Sequence, residues 1–155
     1  MGNMVQELLS NRTIIAGAVG WFAAQVIKTI IYAVMNKTLD LTRMVGDGGM
    51  PSAHSSTVTS VAMSIAFEYG IGSPVFALAA FFAFIVMHDA SGVRLETGKQ
   101  AKQINDMWEL MASLMDEVTS PEQKLKEFVG HTKLQVVMGL LCGVISTLLL
   151  YNLVF

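Results

Sequence analysis

The feature that most constrains this chain is the run from Leu134 to Phe155, which contains no charged side chain. At about 1.5 Å per residue, a helix of that length exceeds the roughly 30 Å hydrocarbon core of a bilayer. A second long apolar run, Thr13 to Met35, carries a single charge, Lys28. Charged residues make up 14% of the chain, well below the roughly 25% of soluble proteins. The sequence therefore predicts an integral membrane protein.

Two further apolar segments lie between these runs. Ser55 to Gly72 is rich in serine, threonine and alanine, which suits a central helix packed among other helices better than one facing lipid. Pro74 to His88 is strongly apolar, and Ser73 before Pro74 is typical of an N-cap. Gly139 and Gly143 are spaced to let another helix approach closely. We expect one all-α domain, residues 1–155, with a bundle of about four transmembrane helices.

The polar stretch between Asp89 and Lys133 also has a helical pattern. Its apolar residues recur at helical spacing, and most acidic residues fall elsewhere on the helical wheel. The apolar set is Met107, Leu110, Met111, Leu114, Met115 and Val118, and the acidic set is Asp106, Glu109, Asp116 and Glu117. This pattern predicts an amphipathic helix that lies at the membrane interface or covers the bundle. Ser120 to Gln123 predicts a new helix start, and Gly130 a helix stop.

The distribution of basic residues predicts the topology. The loops at residues 36–51 and 89–133 must lie on one side, whether the middle segments cross the bilayer or form a re-entrant hairpin. That side carries Lys37, Arg43, Arg94, Lys99, Lys102, Lys124, Lys126 and Lys133, and the other side carries only Arg12. The positive-inside rule places both loops in the cytoplasm and both termini outside a bacterial plasma membrane. The net charge of -2 gives no sign of a nucleic-acid partner, and a thin four-span bundle allows a homodimer.

The chemically versatile residues all fall on this same face. Gly48-Gly49-Met50-Pro51-Ser52-Ala53-His54-Ser55 opens the second apolar segment, and Gly130-His131-Thr132 opens the last one. Lys28 lies near the end of the first span, and Arg43 lies in the loop that follows. Asp89 and Arg94 come directly after the third segment. Two histidines and several cations at the ends of apolar helices indicate a phosphate-handling site at a membrane surface.

Phosphoryl transfer requires the residue types that collect there. A phosphate dianion needs fixed positive charge and N–H donors, which Lys28, Arg43 and Arg94 can provide. The helix start after Pro51 adds backbone N–H groups and a positive dipole end. One histidine can attack phosphorus while the other protonates the leaving oxygen. Asp89 and Arg94 also fit a structural ion pair. Without a cluster of metal-ligand spacing, we expect chemistry that needs no metal and no cofactor.

The Pro51-Ser52-Ala53-His54-Ser55 run resembles the P-S-x-H motif of type-two phosphatidic acid phosphatases, the superfamily that includes vanadium haloperoxidases. Nearly the whole chain is similar to the small divergent bacterial and plastid branch of that superfamily. Besides the run from Gly48 to Ser55, the matching residues are Asp89-Ala90-Ser91-Gly92-Val93-Arg94, Gly98-Lys99-Gln100-Ala101, and Gly130-His131-Thr132 leading to Val136, Gly139 and Gly143.

The resemblance implies roles for individual residues. His131 corresponds to the histidine that becomes phosphorylated, and His54 to the general acid for the leaving group. Lys28, Arg43 and Arg94 resemble the phosphate-binding cations. Ser52 and the backbone amides that follow it, from Ala53 onward, resemble the phosphate cradle.

One position departs from the family pattern. Where the family usually has an acidic residue four positions after the nucleophilic histidine, this chain has Gln135. Glutamine can accept a hydrogen bond from the imidazole but carries no charge to stabilise it. The chain is thus expected to hydrolyse a lipid phosphate monoester, such as phosphatidate or phosphatidylglycerophosphate, with Asp89 as a possible source of the charge. The alternative is a weak or inactive relative that binds anionic lipids.

Overall fold

The computed structural model describes residues 2–46, 48–114, 124–127 and 130–155, and it leaves the Arg43 side chain undescribed. The chain forms six α-helices and one short 3-10 helix over these ranges. They are α1 (Gly2–Leu9), α2 (Arg12–Asn36), the 3-10 helix Leu41–Met44, α3 (Ala53–Tyr69), α4 (Pro74–Ser91), α5 (Val93–Leu114) and α6 (Lys133–Leu153). No β-strand occurs in the described ranges, which confirms the predicted all-α class.

Three helical segments of the described chain are long and apolar enough to cross a membrane. They are Arg12–Asn36, Pro74–Leu114 and Lys133–Leu153. The 17 residues of α3 make a helix of about 26 Å, which is shorter than these three segments. This helix packs against α2, α4 and α6, as predicted for the central helix of the bundle. The count of four spans stays a prediction.

Polar contacts define the two ends of the bundle. At one end, Arg12 Nη1 lies 3.2 Å from Glu68 Oε1, and the Tyr151 hydroxyl donates to the same oxygen at 2.9 Å. At the other end, the backbone N–H of Ser52 donates to the carbonyl of Gln135 at 3.0 Å. The start of α2 and the ends of α3 and α6 therefore share one end, while the two sequence motifs share the opposite end.

Glycines and hydroxyl groups let α3 lie very close to its neighbours. A Cβ added to Gly139 would stand 2.4 Å from the Ser52 carbonyl oxygen, and one added to Gly143 would stand 2.5 Å from that of Ser56. On the other side, the Ser56 hydroxyl donates to the Gly20 carbonyl at 2.7 Å. The close helix approach predicted from Gly139 and Gly143 is therefore confirmed, with α3 as the partner helix.

The polar stretch after α4 is helical over much of its described length. Helix α4 continues about one turn beyond the predicted end at His88, and Gly92 separates it from α5. Helix α5 begins at Val93, earlier than the predicted amphipathic pattern. It leaves the apolar side chains Met107, Leu110, Met111 and Leu114 exposed. Its placement at the membrane interface stays a prediction, and Met115, Asp116, Glu117, Val118 and the predicted helix start at 120–123 lie outside the described residues.

Residues 124–127 return along α5 without forming a helix, so the prediction of a helix running through them to a stop at Gly130 is wrong. Asn105 instead holds Leu125 through two hydrogen bonds of 3.0 Å, one to its carbonyl and one from its N–H. Lys124 pairs with Glu109, and this hydrogen bond and charge raise the pKa of Lys124. Gly130 serves close packing, because a Cβ there would lie 2.2 Å from the backbone nitrogen of Leu95.

Candidate active site

The first motif forms the N-terminus of α3. Ser52 is the N-cap, and its Oγ accepts the backbone N–H of Ser55 at 3.3 Å. Gly48 and Gly49 precede it with φ angles of 77° and 83°, a region that favours glycine. A Cβ at Gly49 would lie 3.1 Å from Cγ of Lys28, so this glycine lets the lysine stem pass beside the loop. The positive end of the α3 dipole therefore opens next to Lys28.

The second motif is fixed to two distant parts of the chain. The backbone N–H of His131 donates to the carbonyl of Ala90 at 2.9 Å, which ties it to the end of α4. The bond from Ser52 to the Gln135 carbonyl joins the start of α6 to the start of α3. Because these contacts involve the backbone, they hold the segments together independently of the histidine side chains.

His54 and His131 line one cavity. Their ring centroids lie 5.8 Å apart, with the planes inclined by 54°. The cavity has a volume of about 450 Å³ and is also lined by Lys28. His131 is only 4% exposed, whereas His54 is exposed. In-line transfer places phosphorus about 3–3.5 Å from each reacting atom. With 5.8 Å between the ring centroids, one bound phosphoryl group can contact both imidazoles.

Lys28 brings a buried cation to this cavity. Its side chain is 6% exposed, and Nζ donates to the carbonyl of Gly46 at 2.9 Å. The ammonium group is thus bound to the loop before α3. Because an ammonium has three N–H donors and acts more strongly on an anion away from bulk water, Lys28 is well placed to bind a phosphate oxygen.

Asp89 and Arg94 form a surface ion pair at the α4–α5 junction. Arg94 Nε donates to Asp89 Oδ2 at 2.8 Å, and the side chains are 51% and 43% exposed. Neither residue is among those that line the cavity with the two histidines. The structure thus shows the structural ion pair that the sequence also allowed, and the predicted catalytic role of Asp89 and phosphate-binding role of Arg94 stay predictions.

Gln135 is turned toward its own helix. Its Oε1 accepts the backbone N–H of Thr132 at 3.0 Å, while the Thr132 hydroxyl accepts the Gln135 N–H at 3.3 Å. This reciprocal pair is a capping box at the start of α6. The sequence allowed the glutamine carbonyl to accept a hydrogen bond from His131. In the structure, the hydrogen bond described for this oxygen comes from the Thr132 N–H instead.

The remaining predicted phosphate-binding residues lie at the same end of the bundle. Ser52 is fully buried, and Ala53, which is 6% exposed, lines the cavity. Arg43 lies in the 3-10 helix of the loop, and its side chain is outside the described residues. The structure thus brings Lys28, His54 and His131 together around the N-terminus of α3.

The sequence motifs did not predict the other residues that line the cavity. They are Trp21, Gln25, Val45, Gly46, Thr57, Val58, Phe82 and Val86. A signal was present for part of this set, because Trp21, Gln25 and Lys28 are spaced four and three residues apart and so share one helix face. Gln25 is also a strongly polar side chain inside an otherwise apolar run, which in a membrane helix indicates a functional position.

Among the described residues, the titratable side chains that line this cavity are Lys28, His54 and His131. Within the described ranges, no three His, Cys, Asp or Glu side chains are grouped closely enough to hold a metal ion. These side chains offer two imidazoles, each of which can act as a nucleophile or as a proton donor or acceptor, and a cation.

These features define a class, namely an all-helical membrane protein in which two histidines and a buried lysine meet at one end of the bundle. The sequence model of the Divergent PAP2 family matches residues 9–146. The chain belongs to this family. The resemblance inferred from the motifs is therefore confirmed over most of the chain.

A relative from Bacillus subtilis (strain 168) has a similar length and is described as a membrane protein. It is described as the uncharacterized membrane protein YuiD, and it is 37% identical over 152 residues. The alignment covers 93% of this chain and 96% of the relative. No solved structure matches the chain significantly. The relative supports the assignment of this chain as an integral membrane protein.

Proposed function

We propose that the protein hydrolyses a lipid phosphate monoester through a phosphohistidine intermediate. The observation that carries the proposal is the pair of imidazoles, 5.8 Å apart, in one cavity with the buried Lys28. Membership of the Divergent PAP2 family supports a phosphatase ancestry. The apolar helices support a substrate anchored in the bilayer, such as phosphatidate or phosphatidylglycerophosphate.

The proposed reaction has two steps. A ring nitrogen of His131 attacks phosphorus, and the bond between phosphorus and the ester oxygen breaks. His54, as an imidazolium, donates its proton to that oxygen, so the lipid leaves as a neutral alcohol. Water then gives a proton to His54 and attacks phosphorus, and the phosphorus–nitrogen bond breaks. Inorganic phosphate leaves, and both histidines return to their starting states.

Positive charge around the phosphoryl group lowers the barrier of both steps. The ammonium group of Lys28 and the backbone N–H groups in the first turn of α3, from Ala53 onward, stabilise the charge that grows on the phosphoryl oxygens, while Ser52 caps the helix. Arg43 and Arg94 are further candidates for phosphate binding. Because Arg94 bonds to Asp89 in the structure, its participation requires exchange of that carboxylate for a phosphate oxygen.

The test is phosphate release by the purified protein from a panel of lipid phosphates. His131→Ala is expected to lower turnover by at least about a thousandfold, because removal of a nucleophile removes the covalent route. His88→Ala is the matched control, since this third histidine lies at the end of α4 beside Phe84 and does not line the cavity. Full activity of His131→Ala, or an equal loss in His88→Ala, contradicts the mechanism.

Gln135 favours a second candidate, a protein that binds anionic lipid headgroups without turnover. Its amide occupies the position where the family usually has an acidic residue, and it caps α6. Without that charge, the imidazolium of His131 is less stabilised during attack. Saturable binding of phosphatidate without phosphate release favours this candidate, whereas inhibition of phosphate release by vanadate supports hydrolysis.

A further inference from the structure

The cavity of the two histidines continues along α2 into the bundle. Trp21, Gln25 and Lys28 all line it from one face of that helix. At about 1.5 Å per residue, Gln25 lies roughly 4.5 Å along the axis from Lys28, away from the phosphate-binding end. Gln25 is therefore the next polar side chain that a ligand meets beyond its phosphate.

The other side chains of this inner part are apolar or already bonded. Val58 comes from α3, and Phe82 and Val86 come from α4. Thr57 also lines the cavity, but its hydroxyl donates to the Ala53 carbonyl of its own helix at 2.7 Å. The inner cavity therefore suits the hydrocarbon part of a ligand, and the side-chain amide of Gln25 adds one polar group to it.

The amide of Gln25 is buried without its full set of hydrogen bonds. Its side chain is 5% exposed, and Oε1 has no hydrogen-bond partner among the described residues. A buried amide that lacks partners is unfavourable in apolar surroundings. Polar side chains inside membrane proteins mark ligand pathways and functional sites. Because rotation of the amide exchanges its oxygen and nitrogen, the position without a partner can equally hold Nε2, whose N–H groups donate to an acceptor oxygen of a bound ligand.

We propose that Gln25 is a specificity-determining residue whose side-chain N–H donates a hydrogen bond to the ester carbonyl of a glycerolipid phosphate, an inference that rests on the proposed function. In such a lipid the ester group lies a few bonds beyond the phosphoester oxygen. Its distance from phosphorus is roughly 5 Å, about the length of one helical turn. This matches the offset between Lys28 and Gln25. An isoprenoid phosphate has only hydrocarbon there and leaves the amide unsatisfied. Gln25 thus selects glycerolipid phosphates over isoprenoid phosphates.

The experiment compares lipids that differ at this position alone. Diacyl phosphatidate and its dialkyl ether analogue have the same shape, but only the first has ester carbonyls. Equilibrium binding and kcat/KM are measured for both in one detergent, with a polyprenyl monophosphate as a third ligand. The native protein is expected to prefer the ester lipid about tenfold, the effect of one hydrogen bond. Gln25→Leu is expected to remove this preference and to leave vanadate inhibition unchanged.

Thr57→Val is the matched control, because it removes a hydroxyl from the same cavity that is already bonded within α3. It is expected to keep the ester preference. Gln25→Met provides a second variant of similar shape if the leucine variant does not fold. A native protein without preference, a preference that survives both Gln25 variants, or an equal loss in Thr57→Val overturns the inference.

The readouts separate this inference from the proposed function. If no lipid phosphate is hydrolysed, the proposed hydrolysis fails, but the ratio of ester to ether binding still tests Gln25. If phosphate is released at equal rates from ester, ether and prenyl substrates, hydrolysis stands and the role of Gln25 fails. If neither glycerolipid binds, the role of Gln25 fails, and if the polyprenyl monophosphate is not hydrolysed either, both proposals fail.

Discussion

At the scale of single residues, Gln135 caps a helix and also occupies a position that matters for the proposed catalysis. The family resemblance predicts an acidic side chain four residues after His131. The structure gives the glutamine a local role instead, since its Oε1 caps the N–H of Thr132. Glutamic acid serves equally well in a capping box and is favoured by the dipole at a helix N-terminus. Replacing this amide by a carboxylate is therefore compatible with the fold.

Gln135→Glu is accordingly expected to raise phosphate release by at least about tenfold, because a negative charge near His131 stabilises its imidazolium form. Gln135→Ala is the control, since it removes the cap without adding charge and is expected to give no gain. Turnover of both variants is measured with phosphatidate in detergent micelles. An unchanged rate in a folded Gln135→Glu protein would speak against His131 as the nucleophile.

At the scale of elements, α3 positions the site because it is held tightly on two sides. Its buried face is made of small and hydroxylated residues, which are Ser55, Ser56, Thr59, Ser60, Ala62 and Ser64. Gly143 of α6 lies against this face so closely that an added Cβ would stand 2.5 Å from the Ser56 carbonyl oxygen and 2.9 Å from Cβ of Thr59. The same packing fixes the distance between the N-termini of α3 and α6, and hence between the two histidines.

Gly143→Ala is expected to destabilise the protein by about 1–3 kcal/mol, the usual effect of overpacking a filled interior. Gly72→Ala is the matched control, because an added Cβ at this exposed glycine meets no atom within 4 Å. Thermal unfolding in detergent, followed by circular dichroism, gives the two melting temperatures. Equal melting temperatures for the two variants would show that the contact between α3 and α6 is less tight than described.

At the scale of the whole molecule, the bundle has two chemically different ends. The motif end carries Lys28, His54 and His131 and adjoins the loops rich in lysine and arginine. The other end is held by Arg12 and Glu68 together with Tyr151. Since the positive-inside rule depends on the basic residues of short loops, it predicts that the motif end faces the cytoplasm.

Labelling with a membrane-impermeant maleimide tests this orientation. In a Cys142→Ala background, Ile71→Cys is expected to react in intact bacterial cells, because the exposed Ile71 lies between α3 and α4 at the end away from the motifs. Thr38→Cys, in the exposed loop after α2, is expected to react only after the cells are permeabilised. The reverse labelling pattern would place the candidate site outside the cytoplasm.

The sequence alone determined the membrane class, the approximate helices and the two motif segments. These follow from local properties, because an apolar run of sufficient length must satisfy its backbone as a helix in lipid. Ser73, for example, is the predicted N-cap of α4, and its Oγ accepts the Phe76 N–H at 3.2 Å. The motifs themselves indicated that His54 and His131 belong to one site.

Only the tertiary structure decided which side chains line the site. It placed Gln25 in the cavity of the two histidines, paired Asp89 with Arg94 at the surface, and turned the oxygen of Gln135 toward its own helix. The physical reason is that a segment forms the same helix whichever of its faces turns toward the cavity, so its local sequence pattern does not decide the orientation. Which face meets the cavity depends on how closely α2, α3, α4 and α6 pack against one another, and those contacts join residues that are far apart in the chain.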